Sequence, residues 1–185
     1  MQKITSLFQR NYATDRLVSD EVVPGAEWVG AGEGTATRKW DGTSCLVRGG
    51  QLFKRYDAKA GRTPPEGFEP AQEPDPVTGH HPGWVPVGDG LGDAYHREAL
   101  ASAGGALPEG THELIGPKVQ GNPEGVTEHQ LIRHGEALLD DAPRDFAGLR
   151  RYLEAQPGLE GVVWHHPDGR MVKIKRKDFF KTDLR

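Results

Sequence analysis

Two short β-prone runs, residues 160–165 and 171–176, flank Pro167-Asp168-Gly169, and this arrangement constrains the fold more than any other stretch of the chain. Proline fixes one backbone angle, while aspartate and glycine accept the unusual angles of a tight reversal, so the two runs predict an antiparallel hairpin. Strand side chains alternate between faces, which puts Lys173 and Lys175 together on one face of it. Two lysines so placed are equally what a solvated sheet face carries, and their meaning depends on the rest of the chain.

Similar punctuation recurs elsewhere. Residues 35–47 and 51–55 are β-prone with Gly49-Gly50 between them, which predicts a second hairpin with Lys39 on its first strand. Strict alternation would place Lys39, Asp41 and Thr43 on one face, with Gly42 a point of distortion. Residues 61–88 are proline-dense and lack a helical period. Phe68, Trp84 and several valines mark them as an ordered surface excursion, with Trp84 as its packing anchor. Residues 93–103 read as a short helix, with Asp93 at the N-cap and Gly104-Gly105 as the stop. Residues 111–116 read as a strand. In 145–156, Phe146, Leu149, Tyr152 and Leu153 recur at helical spacing until Pro157-Gly158 ends the helix. The expected fold is α+β, antiparallel sheets flanked by helices, and 185 residues suit a single domain spanning 1–185.

The net charge of −4 argues against a chain that coats nucleic acid non-specifically. Its distribution is more telling. Arg38, Lys39, Arg48, Lys54, Arg55, Lys59 and Arg62 crowd one stretch. Arg170, Lys173, Lys175, Arg176, Lys177, Lys181 and Arg185 crowd the tail. If these stretches meet, an acidic chain gains a local basic cleft that attracts phosphates. Cys45 is the only cysteine, which excludes an internal disulfide or a cysteine-rich zinc site. Residues 1–19 hold no uninterrupted apolar run, and no stretch approaches the roughly 18–20 apolar residues of a membrane span, so a cytoplasmic chain with no membrane partner is expected. His80-His81 and His165-His166 lack metal-ligand spacing and read as ordinary histidines.

Four fragments occur in a telling order: Lys39-Trp40-Asp41-Gly42-Thr43, His112-Glu113-Leu114-Ile115-Gly116, Glu160-Gly161-Val162-Val163-Trp164 and Lys173-Ile174-Lys175-Arg176. At these residues, from Lys39 to Lys175, the chain resembles the covalent nucleotidyltransferases, the superfamily of polynucleotide ligases and capping enzymes. Within it the chain looks most like a small ATP-dependent RNA ligase. The resemblance implies that Lys39 is the nucleophile that becomes linked to AMP. It implies that Arg55 contacts ribose or the nucleic-acid end, and that Glu113 binds the nucleotide ribose. Glu160 would stand near Mg2+ or Mn2+, while Lys173 and Lys175 would grip the phosphates of ATP and stabilise charge in the transition state. The physics is consistent, because a lysine that attacks phosphorus must be neutral when it does so. A second cation about 6 Å away, at an effective dielectric of about 20, disfavours the charged form by roughly 2–3 kcal/mol. Gly42 would let backbone approach the nucleotide closely.

The departures are informative. Arg38 stands where many RNA ligases carry an acidic residue, and the aromatic that stacks on adenine has no clear counterpart, with His129, Leu131 and His134 as candidates. No sequence follows Arg185 to form the OB domain of DNA ligases and capping enzymes, so the expectation is a nucleotidyltransferase domain alone. Any grip on nucleic acid would then come from that domain or from a partner protein that supplies RNA specificity. The implied function is joining of RNA 5′-phosphate and 3′-hydroxyl ends through lysyl-AMP and an adenylylated RNA end, as in RNA repair. A minimal DNA ligase, a capping-type guanylyltransferase and a non-catalytic nucleotide- or RNA-binding module are the alternatives. Labelling with ATP against GTP, then offering RNA or DNA nicks, separates the three enzymes, and the filled charged positions argue against the module.

Overall fold

The computed structural model describes residues 3–180, so the tail residues Lys181, Asp183 and Arg185 lie outside the described residues. From the N-terminal side come β1 (Thr5–Ser6), β2 (Phe8–Arg10), β3 (Val18–Val22) and β4 (Thr35–Lys39). Next are β5 (Thr43–Arg48), β6 (Gln51–Ala58), β7 (Glu69–Pro70), β8 (His81–Pro86) and helix α1 (Ala94–Ser102). The chain continues with β9 (Gly110–Ile115), β10 (Gln130–Arg133), α2 (Phe146–Glu154), β11 (Gly161–His165), β12 (Met171–Lys175) and the short α3 (Arg176–Phe179). The fold is α+β, with mostly antiparallel sheets and few helices. No helix among the described residues is long and apolar enough to cross a membrane.

The described chain divides into two compact units, one built from Lys3 and Asp41–His134 and the other from Ile4–Trp40 together with residues 135–180. The first unit is a six-stranded sheet in the order β10-β9-β5-β6-β8-β7, antiparallel throughout. One face packs Cys45, Val47, Leu52 and Leu114 together with Ala99 of α1 and with Val119 and Leu131. The register pairs Ser44 with Glu113 and Leu46 with Phe53. Cross-strand partners share a face, so Glu113 and Arg55, two residues beyond Phe53, lie on the face opposite that core.

The second unit is a four-stranded sheet in the order β1-β12-β11-β4, in which β1 runs parallel to β12 and the other pairs are antiparallel. Val162, Trp164, Val172 and Ile174 form its apolar face, packed in one core with Leu149 and Leu153 of α2. Both leucines are fully buried, which stabilises the unit by roughly 1.5–3 kcal/mol each. Phe8, Phe146 and Phe179 close the core edge to face, with Phe146 lying 5.1 Å from each of the other two rings. Helix α2 starts where expected, because the Asp145 carboxylate accepts the Gly148 N–H at 2.8 Å as an N-cap.

Three expectations need correction. Residues 35–47 are not one strand. The chain leaves β4 at Lys39, turns through Trp40-Asp41-Gly42, and enters β5 in the other unit's sheet. The hairpin across Gly49-Gly50 forms between β5 and β6, whereas Lys39 belongs to β4 and pairs with β11. Lys39, Asp41 and Thr43 therefore do not share a strand face. Residues 61–88 are more than a surface excursion, because β8 pairs along β6 and adds to the main sheet. Its prolines, Pro82 and Pro86, sit near the strand's ends, and their density concealed it. Trp84 of β8 is buried, as a packing anchor should be, with Arg55 stacked 5.0 Å from its ring. Asp93 stands at the N-cap position of α1 without capping it. Its carboxylate instead takes the Lys54 ammonium and the Gly88 N–H.

Candidate functional site

The second unit's sheet brings together residues that lie far apart in the chain. Cross-strand register sets Lys39 of β4 opposite Gly161 of β11, and Gly161 opposite Lys175 of β12. The next row on the same face runs Thr37, Val163, Lys173. Adjacent strands lie about 4.8 Å apart, so Lys39 and Lys175 flank the glycine with backbones roughly 10 Å apart. Glu160, just before β11, fills the space between their side chains. The Lys39 Nζ is 2.5 Å from Glu160 Oε2, and the Lys175 Nζ is 3.4 Å from Glu160 Oε1. Three ammonium groups thus share a sheet face with one carboxylate, leaving an excess of positive charge suited to phosphate.

Lys173 and Lys175 are perturbed by burial and by that crowding. Burial, with the charges of Lys175 and Lys39 adding to it, pushes Lys173 down to about 8. Burial also draws Lys175 below its ordinary value. Glu160 opposes that shift, and the charges of Lys39 and Lys177 reinforce it. Asp178, buried at the end of α3, accepts the backbone N–H of Lys175 at 2.9 Å and pairs with Arg10. It anchors the end of β12 on which Lys175 sits. Sequence reading missed this residue, although an acid three positions beyond a strand end, at N3 of the following helical turn, is a recognisable signal.

Lys39, Glu160, Lys173 and Lys175 are therefore assembled, and Arg38 is not among them. Arg38 alternates to the opposite side of β4, lies 4.4 Å from the Trp40 ring and donates to the Gly158 carbonyl at 2.9 Å. Of the basic stretch 38–62, only Arg38 and Lys39 share a unit with the C-terminal lysines; Arg48, Lys54, Arg55, Lys59 and Arg62 belong to the first unit. Among the described residues no three of His, Cys, Asp and Glu gather as a metal-binding group. Glu160 is a single carboxylate with one oxygen on Lys39 and the other on Lys175, so a hard cation such as magnesium would have to share it with those ammonium groups and draw the rest of its shell from phosphate and water.

In the first unit, Arg55 and Glu113 lie on one sheet face. Burial pulls the Arg55 guanidinium below its ordinary value, opposed by Asp57. Glu113 accepts the Gly42 N–H at 3.1 Å through one oxygen and faces His134 Nε2 at 2.8 Å through the other. Gly42 is glycine for a reason internal to the protein, since a Cβ there would lie 2.1 Å from the Leu114 carbonyl oxygen. Of the three stacking candidates, Leu131 is buried in the core. His129 stacks on Tyr95 at 4.4 Å and 17°, and His134 alone touches Glu113.

The RNA ligase 1 family model matches residues 98–181, which include Glu113, Glu160, Lys173 and Lys175. The chain is 33% identical to RNA ligase 1 of Danio rerio over 130 residues, covering 53% of this chain and 40% of that protein. It is 28% identical to RNA ligase 1 of Mus musculus over an alignment of 213 positions, covering 76% of this chain and 65% of that protein. RNA ligase 1 of Pongo abelii is 28% identical over 152 positions, with 47% of that protein covered. Over part of its length the chain is therefore similar to RNA ligases. The chain spans about half the length of the curated relatives it matches.

Proposed function

We propose that this chain is an ATP-dependent RNA ligase of the covalent nucleotidyltransferase kind, working through lysyl-AMP. The observation that carries the reading is Lys39 held by Glu160 on the same sheet face as Lys173 and Lys175. Lys39 is the nucleophile, Glu160 is the nearest acceptor for the proton it must lose, and the two further lysines bind phosphate oxygens. Nζ attacks the α-phosphorus of ATP, a P–N bond forms, and pyrophosphate departs with the electrons of the broken P–O bond. An oxygen of an RNA 5′-phosphate then attacks the AMP phosphorus, the P–N bond breaks and Lys39 leaves as its amine. An RNA 3′-hydroxyl next attacks the activated 5′-phosphate, a phosphodiester bond forms, the hydroxyl proton is lost and AMP departs. Mg2+ or Mn2+ at Glu160, when bound, supplies neutralisation of charge on the phosphate oxygens. By resemblance, Arg55 and Glu113 contribute to nucleotide binding, and the reaction belongs to RNA repair in the cytoplasm.

The test is incubation with ATP and magnesium or manganese, followed by intact-mass measurement of the denatured protein. One added AMP, released by acid as a phosphoramidate should be, supports the reading. An unchanged mass in a well-folded chain overturns it, and labelling by GTP in place of ATP favours a capping-type enzyme.

RNA ends should be joined far better than DNA ends. A site that hydrogen-bonds a ribose 2′-hydroxyl is left with unpaired polar groups when that hydroxyl is absent. One duplex nick carrying ribose or deoxyribose at the last two nucleotides of its 3′-hydroxyl strand should seal at least about tenfold faster with ribose. Equal sealing promotes the DNA-ligase alternative.

A pH dependence follows from Lys173. Its folded value of about 8 lies below the ordinary 10.5 of lysine, so it is charged below pH 8 and loses its proton as the pH rises through that value. Phosphate binds the charged form. Affinity for α,β-methylene-ATP, which cannot release pyrophosphate, should therefore fall above pH 8 by up to about tenfold per unit. Lys173→Arg, which stays charged, should flatten the profile. Calorimetric titration between pH 7 and 9.5 reads both.

A further inference from the structure

We infer that His134 is a positioning residue for Glu113, fixing its carboxylate in the orientation that receives the ribose hydroxyls of the nucleotide; this rests on the ligase reading above. His134 follows β10, and its backbone N–H donates to the Thr111 carbonyl at 3.1 Å. That extends the β9–β10 ladder by one residue and puts the ring on the face that carries Thr111 and Glu113. Its Nε2 is 2.8 Å from Glu113 Oε2, and its Nδ1 is 3.0 Å from Thr111 Oγ1.

The chemistry of the three groups sets the direction of each bond. A carboxylate only accepts, so Nε2 carries the hydrogen. In the neutral ring Nδ1 is then an acceptor, and the Thr111 hydroxyl must be the donor to it. The chain thus runs from Thr111 O–H to His134 Nδ1, and from His134 Nε2–H to Glu113 Oε2. The Gly42 N–H meets the other carboxylate oxygen at 3.1 Å. One donor on each oxygen fixes the rotation of the carboxylate about its terminal bond. Each oxygen still has a lone pair free for a further donor, and a ribose diol brings two. The Glu113 side chain is only 11% exposed, so water offers little substitute if either donor is lost, and an unheld buried carboxylate is costly.

The experiment measures lysyl-AMP formation against nucleotide concentration for ATP, 2′-deoxy-ATP and 3′-deoxy-ATP. Wild type should prefer ATP in kcat/KM by about tenfold or more over at least one deoxy analogue. His134→Ala should raise the KM for ATP about tenfold, change kcat less than about threefold, and bring the ATP-to-deoxy ratio close to one. His134→Gln carries an amide N–H that can reach the place of Nε2, and it should restore most of the preference. Thr111→Val, which removes the hydroxyl that fixes the tautomer, should weaken the preference in part, and it supplies the same readout if His134→Ala does not fold. A ratio unchanged in folded His134→Ala or Thr111→Val, or a wild type that forms the adduct without preferring ribose, overturns the inference alone. A well-folded wild type that forms no lysyl-AMP overturns the ligase reading itself.

Discussion

Lys39→Ala and Lys39→Arg should both leave the protein unable to gain AMP, with rates down by more than about three orders of magnitude. The two substitutions fail for different reasons. Alanine removes the proposed nucleophile and leaves Glu160 its Lys175 contact at 3.4 Å. Arginine keeps a cation against Glu160, but its guanidinium does not give up a proton in a protein and cannot attack phosphorus. Lys39→Arg should therefore melt within about 2 °C of wild type, because the ion pair survives. Intact mass after incubation with ATP and metal, beside a thermal scan, checks both. An adduct that forms in a Lys39→Arg chain would move the nucleophile elsewhere, with Lys173, pushed down to about 8 by burial, the next residue to test.

Gly161→Ala should be the most damaging single methyl in the second unit. A Cβ at Gly161 would lie 2.1 Å from the Ile174 carbonyl oxygen and 2.9 Å from the Lys175 Cα. Both are main-chain atoms of β12 and cannot rotate aside, so β11 and β12 must separate where they hold Glu160 and Lys175. A loss of about 3 kcal/mol and a fall in melting temperature of roughly 10 °C are expected. Adduct formation should fall by at least about a hundredfold as the lysine and glutamate lose register. Gly158→Ala meets nothing within 4 Å and should leave both measurements within error. A Gly161→Ala chain of normal stability and rate would mean that the two strands can part without disturbing the site.

Features set by local chemistry were legible in the sequence. The β11–β12 hairpin follows from its turn and its alternation, and α2 from its spacing and its Asp145 cap. The grouping of Glu160, Lys173 and Lys175 follows from that hairpin, since all three lie within it or at its edge. Features set by partners distant in the chain were less accessible. The break after Lys39 is fixed by the Gly42 approach to Leu114 and by the pairing of β4 with β11, and no local propensity encodes either. β8 was hidden because proline density argues against a strand until its position near the sheet edge is known. Asp178 meets the Lys175 N–H and Arg10, and His134 meets Glu113 and Thr111, contacts between segments that composition and periodicity do not record.

The division of the chain also bears on the order in which the molecule assembles. The first unit is nearly continuous from Asp41 to His134, whereas the second joins the segments on either side of it. Lys39 and Glu160 are 121 positions apart in the chain. Closing so long a loop in an unstructured chain is entropically expensive and slow, but a compact unit already folded within it shortens the effective span. During synthesis the intervening unit can fold while Glu160 and Lys175 are still to be made. Lys39 meets Glu160 only afterwards, so the second unit should reach its native state last, in a refolding phase slower than that of the six-stranded sheet. A chain interrupted before β12 would carry Lys39 and Glu160 without Lys173 and Lys175, the two lysines that complete that sheet face.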